Sequence, residues 1–183
     1  MTMTDIRAAI YARTSSSFAG LRLSDLMTLK WSDVDMEKNM ISHMQYKGHN
    51  RKAKMLYIPL NDISRDILDR WNGRYEEFVF GLLPSGYDLS DDAAFLKVKN
   101  TREATINQSL RSVGDKMGLP FNLHIHLGRH TYAMMALNGG VDINTTSSLL
   151  GHASTMVTEK VYATLLPNTI AERVGDKLNV KLD

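Results

Sequence analysis

A chain of 183 residues is long enough for one domain with its own core and too short for two ordinary ones. Hydrophobic residues at 43% and charged residues at 23% exclude the disordered and fibrous classes, and the absence of cysteine excludes a disulfide framework, a thiolate metal site and a cysteine nucleophile. The formal net charge is only +2, from 22 Lys+Arg against 20 Asp+Glu, so any nucleic-acid contact must come from a local basic surface.

No apolar run approaches the roughly 18 residues that a membrane span needs, and the N-terminus lacks the basic-then-apolar pattern of a signal peptide. A soluble cytoplasmic protein with no membrane partner is expected. Residues Asp5 to Ala12 read as helical, and the polar run Thr14 to Ser17 breaks that pattern. A short helix is predicted over Asp25 to Lys30, with Ser24 as N-cap, Asp25 near the positive end of the dipole, and Leu26 and Leu29 facing the core. Alternation over Ile41, His43 and Gln45, a basic stretch from Lys47 to Lys54, and an extended run from Met55 to Ile58 predict a β-hairpin with a basic tip, within a small antiparallel sheet near residues 38 to 60.

Pro59 should end the strand, and Asn61 or Asp62 should cap a helix with Ile63, Ile67, Leu68 and Trp71 on one face. Between Phe78 and Asn100 no period survives, and Pro84, Gly86 and Asp91-Asp92 mark loops. Further helices are predicted over about Ala104 to Met117, about His126 to Asn138, Asp142 to Leu150 with Asp142 as cap, and about Ser154 to Thr164. After Pro167, Thr169 to Glu172 fits a capping box for an amphipathic tail helix within residues 168 to 183, with Ile170, Val174 and Leu178 on one face. The fold class expected is α+β, mainly helical.

Four local patterns follow in fixed order: Ala19-Gly-Leu-Arg22-Leu-Ser-Asp25, Lys47 on the hairpin, His126-Leu-Gly-Arg129, and Leu150-Gly-His152 followed by Tyr162. Together they resemble the catalytic domain of the tyrosine recombinases, or phage-type integrases, especially those of mobile elements. No single motif is decisive, but the joint order is specific, and the resemblance runs from Ala19 to about Asn179. Ala19 stands where threonine is commoner and Asp25 where glutamate is commoner, both conservative departures. The whole chain, 1 to 183, is accordingly expected to be a catalytic domain without the helical core-binding domain that usually precedes it.

The resemblance implies DNA strand transesterification, with a phosphorane-like transition state whose nonbridging oxygens need cationic donors in fixed geometry. Arginine suits this because its planar fork stays protonated and gives two parallel charge-assisted bonds. By analogy Arg22 and Arg129 are the clamps, whereas an arginine near a helix start is ordinarily a solvated or salt-bridged surface group. Tyr162 would attack phosphorus and hold the strand as a 3′-phosphotyrosine, so that rejoining needs neither cofactor nor metal. His126, one helical turn before Arg129, could bond the phosphate or accept the tyrosine proton, and His152 could donate to a nonbridging oxygen, although packing is the commoner role of a histidine. His124 and His130 are read as structural, and Asp25 as a structural anion and not a general base.

Lys47 would reach into the minor groove and protonate the departing 5′ oxygen, while Arg51, Lys52 and Lys54 would contact backbone phosphates. The partners implied are double-stranded DNA and further copies of the chain, forming a tetramer on paired sites through the tail, at the nucleoid. Two other readings remain: a type IB topoisomerase, against which the short amphipathic tail argues, and a non-catalytic DNA-binding regulator, against which the complete Arg-Lys-His-Arg-His-Tyr set argues.

Overall fold

The computed structural model describes residues 18–46, 53–152, 154–156 and 158. Described residues form a mainly helical α+β fold with one small antiparallel sheet. Helix α1 spans Leu23–Thr28, followed by a 3-10 turn at Trp31–Asp33 and strands β1 (Val34–Asp35), β2 (Met40–Met44) and β3 (Met55–Pro59). Then come α2 (Asp62–Trp71), α3 (Asp92–Lys116), α4 (Ile125–Asn138) and α5 (Ile143–Leu149). The expected segments Asp5 to Ala12, Thr14 to Ser17 and the tail from 168 to 183 lie outside the described residues, as does most of the helix expected over Ser154 to Thr164.

The hairpin follows from alternation. Ile41 and Ile58 face each other across the ladder, as do His43 and Leu56, and all four point into the core while Met44, Met55 and Tyr57 face outward. Strand β1, which the sequence pattern is too short to reveal, pairs with β2 through Val34 opposite Ile41 and Asp35 opposite Met40. Asn61 caps α2, its side chain accepting from the Ser64 N–H at 2.9 Å, and Ile67, Leu68 and Trp71 are buried while Ile63 is exposed.

Two expectations need correction. Ser24 is not the cap of α1: Arg22 holds that position with extended backbone and no side-chain cap bond, and Ser24 is buried inside a helix that ends at Thr28. The helix expected from Ala104 begins at Asp92, where Asp91 accepts from the Ala94 N–H at 2.9 Å. Only Phe95 is buried in its first three turns, so its apolar period is too weak to read. The stretch before it is irregular, as the missing period suggests, yet Phe78, Val79, Phe80, Leu82 and Leu83 are all buried, and Val79 donates its N–H to the Leu29 carbonyl at 2.9 Å.

These contacts fix what surrounds the Arg22 turn. The core seats α1 through Leu23, Leu26 and Met27. Helix α4 is tied to α3 by the Ile125 N–H donating to Asn107 Oδ1 at 2.9 Å, and a small second cluster joins Ala133 of α4 to Leu150 beyond α5.

Candidate active site

Arg129 of α4 reaches the chain just before α1 and just after α5. Its Nη1 donates to the Gly20 carbonyl and its Nη2 to the Leu150 carbonyl, each at 2.6 Å. The approach is possible because position 20 is glycine. Its φ is +69°, and a Cβ there would lie 2.7 Å from Leu150 Cδ2 and 3.2 Å from Arg129 Cγ. Two residues on, Arg22 donates from Nη2 to the Gly151 carbonyl at 3.4 Å, a long contact that brings the second guanidinium to the same turn.

That turn closes α5. Gly151 has φ +63°, and a side chain there would run into the Gln45 amide at the end of β2. Three successive carbonyls past the helix end are thereby covered by donors: Leu150 by Arg129, Gly151 by Arg22 and by Gln45 Nε2 at 3.2 Å, and His152 by Lys54 Nζ at 3.0 Å. Carbonyls at a helix end carry partial negative charge and have no helical partner, which favours this gathering of cations.

Asp25 of α1 is fully buried, with Oδ1 accepting from the Tyr46 N–H at 3.0 Å and Oδ2 without a hydrogen-bond partner. Burial pushes its carboxyl up from the ordinary carboxylate range, opposed by the Tyr46 N–H and by the nearby charges of His43, Arg22 and Arg129. The carboxyl lies within the field of both arginines. His152 is half-buried at the same turn, its Nδ1 2.8 Å from Thr158 Oγ1. Burial, then the positive charge of Arg129 and Arg22, pushes its pKa down to about 4, so the ring is neutral near pH 7.

The structure thus brings Arg22, Arg129 and His152 together. His126 lies one turn before Arg129 on α4, 52% exposed, with Nε2 facing Glu103 Oε1 of α3 at 3.3 Å. Lys54 is drawn onto the His152 carbonyl. Lys47, Arg51, Lys52 and Tyr162 lie outside the described residues. His130 is pushed down by burial, then by the charges of His126, His124 and Arg129. Among the described residues no group of three or more His, Cys, Asp or Glu could hold a metal ion, and no helix is long and apolar enough to cross a membrane.

Two guanidiniums and a neutral imidazole at one turn can bind an oxyanion with several acceptor oxygens, such as a phosphodiester, without a proton being needed. Sequence reasoning missed Glu103 and Thr158, since no local pattern links either to a histidine 23 residues or six residues away. Asp25 could be read as a structural acid, but its full burial and its interaction with both arginines are tertiary information.

The phage integrase family model matches residues 14–168. Tyrosine recombinase XerC from Pediococcus pentosaceus is 28% identical over 156 residues, covering 84% of this chain and 48% of that protein. Tyrosine recombinase XerA from Thermococcus onnurineus is 31% identical over 151 residues, covering 79% and 46%. The chain therefore spans about half the length of these curated relatives. In fold it matches the crystal structure of XerA recombinase with a TM-score of 0.63 at 21% identity, over 97% of this chain and 64% of that one. XerH recombinase bound to palindromic difH substrate in a post-cleavage complex matches with a TM-score of 0.62 at 16% identity, over 94% and 46%.

Proposed function

Because this chain belongs to the phage integrase family, we propose that it is the catalytic domain of a site-specific recombinase that cuts and rejoins duplex DNA through a 3′-phosphotyrosine on Tyr162. The observation that carries this reading is the meeting of Arg22, Arg129 and His152 at the turn after α5, from three separate parts of the chain. Arg22 and Arg129 bind the nonbridging oxygens of the scissile phosphate, where charge grows as the tyrosine oxygen attacks. His152 donates a third hydrogen bond from a neutral ring. His126, turned toward Glu103, is suited to take the tyrosine proton, because a carboxylate on one ring nitrogen steadies the imidazolium that forms.

Lys47 protonates the departing 5′ oxygen, and Arg51 and Lys52 hold the backbone phosphates on either side. Lys54 joins them from just before β3, at the loop end of the hairpin, where its bond to the His152 carbonyl links the hairpin to the catalytic turn. The similar XerH recombinase is bound to a palindromic difH substrate, and a duplex DNA partner likewise fits this cationic turn. The whole chain acts as the catalytic unit, working at the nucleoid in the cytoplasm. Its tail from 168 to 183 docks on a neighbouring copy, so that four copies assemble on two sites.

A duplex that the protein selects from a randomised pool supplies the substrate for the test. Two such duplexes should exchange strands in the presence of a chelator, and deleting residues 168 to 183 should abolish exchange while binding to a single duplex persists. Relaxation of supercoiled DNA without exchange would favour a type IB topoisomerase. Binding without any cleavage would favour a regulator.

A further inference from the structure

We propose that Thr158 is a positioning residue for His152, its hydroxyl donating to Nδ1 and so keeping the ring proton on Nε2. The inference rests on the reading of His152 as a phosphate contact and adds a residue to that site. The backbone of His152 is pinned first. Its N–H donates to the Ser147 carbonyl at 3.0 Å and its carbonyl accepts from Lys54 Nζ at 3.0 Å, so the ring has little freedom beyond its own side-chain torsions.

The ring then meets a single hydroxyl, Thr158 Oγ1, at 2.8 Å from Nδ1. A threonine hydroxyl carries one proton and can donate or accept, so the direction of this bond follows from what else surrounds it. Thr28, Thr101 and Thr105 each send that proton back to the carbonyl four residues earlier, at 3.0 Å in every case. Thr158 makes no such bond among the described residues. It is fully buried, and His152 Nδ1 is its hydrogen-bond partner. If the ring donated instead, the hydroxyl proton would be left buried without an acceptor, a costly arrangement. The hydroxyl therefore donates.

The chemical consequence is direct. A neutral imidazole holds one N–H and one lone pair, and with Nδ1 accepting, the N–H is on Nε2. A phosphate oxygen only accepts, so this tautomer can bind it and the other cannot. The contact also ties the histidine to a residue four positions before Tyr162 in the sequence.

The test is a nitrogen-15 NMR spectrum of histidine-labelled protein at neutral pH, with His152 assigned by the loss of its signals in His152→Gln. The wild type and Thr158→Ser should carry the proton on Nε2, whereas Thr158→Val should move it wholly or partly to Nδ1. Cleavage by Thr158→Val should slow about tenfold with DNA affinity nearly unchanged, and Thr158→Ser should recover most of that loss. A wild-type ring protonated at Nδ1, or a tautomer that Thr158→Val leaves unchanged, would overturn the proposal. Because the spectrum needs no DNA, a chain that forms no covalent adduct would sink the recombinase reading and leave the tautomer result standing.

Discussion

Gly20 and Arg129 are matched to each other: the Gly20 carbonyl accepts Arg129 Nη1 at 2.6 Å, and a Cβ on Gly20 would lie 3.2 Å from Arg129 Cγ. Gly20→Ala adds that Cβ at φ +69° and also within 2.7 Å of Leu150 Cδ2, so both backbone strain and overlap oppose it. A loss of about 1–3 kcal/mol in stability is expected, with cleavage reduced at least about tenfold as Arg129 is displaced. Gly73→Ala is the control: its φ is +71° but nothing lies within 4 Å, so it should lose only about 1 kcal/mol and keep full activity. Chemical denaturation and single-turnover cleavage of both variants check this.

Asp25→Asn separates stability from function. The largest influence on the Asp25 carboxyl is the cost of its burial, and asparagine keeps the shape and can still accept from the Tyr46 N–H. Stability should change by no more than about 1 kcal/mol, in either direction. Arg22 and Arg129 lose a carboxyl that interacts with both, so cleavage should fall on the order of tenfold to a hundredfold. Unfolding midpoints measured beside cleavage rates test the split, and an unaltered rate would remove Asp25 from the site.

His152 sets a pH dependence. Its folded pKa of about 4 lies below the ordinary 6.5, so between those values the unfolded chain binds the extra proton. Stability from this group is present above pH 6.5 and is lost as the pH falls toward 4. The ring is half-buried and its charge partly screened, so the loss should stay below about 1 kcal/mol per pH unit. Thermal midpoints of the wild type and His152→Gln, compared between neutral and mildly acidic pH, should show the shallower acid decline in the variant.

Much of the fold was legible because its signals are local. Asn61 and Asp142 cap helices as their side chains and positions suggest, and Gly151 closes α5 in the left-handed conformation. Asp91 was hidden because Asp88, Asp91 and Asp92 all offer caps, and one buried Phe95 gives no period. Phe78 to Leu83 are buried without regular structure, paired to the chain after α1, which no periodicity reports. Arg22, Arg129 and His152, singled out by the joint order of their motifs, meet at the turn after α5. The contacts of His126 with Glu103 and of His152 with Thr158 arise only from helix packing and chain reversal.

Lys47 and Arg129 can be told apart by the leaving group. With a bridging 5′ sulfur, the departing thiolate needs little protonation, since a thiol has a pKa of about 8.5 and an alcohol lies far higher. Lys47→Ala should recover most of its cleavage rate on that substrate. Arg129→Ala should remain slow, because the nonbridging charge it meets develops whichever atom leaves. Equal impairment of Lys47→Ala on both substrates would transfer the acid role to Lys52 or Lys54.

The most direct measurement is the identity of the residue joined to DNA. A nicked duplex that traps the cleaved strand is incubated with the protein in chelator, digested with protease and read by peptide mass. The expected product is a 3′-phosphoryl link on Tyr162, absent from Tyr162→Phe protein that still binds the duplex. A link on any other residue, Tyr132 being the first to examine, or cleavage that requires added metal and leaves no protein joined to DNA, would contradict a tyrosine recombinase acting through Tyr162.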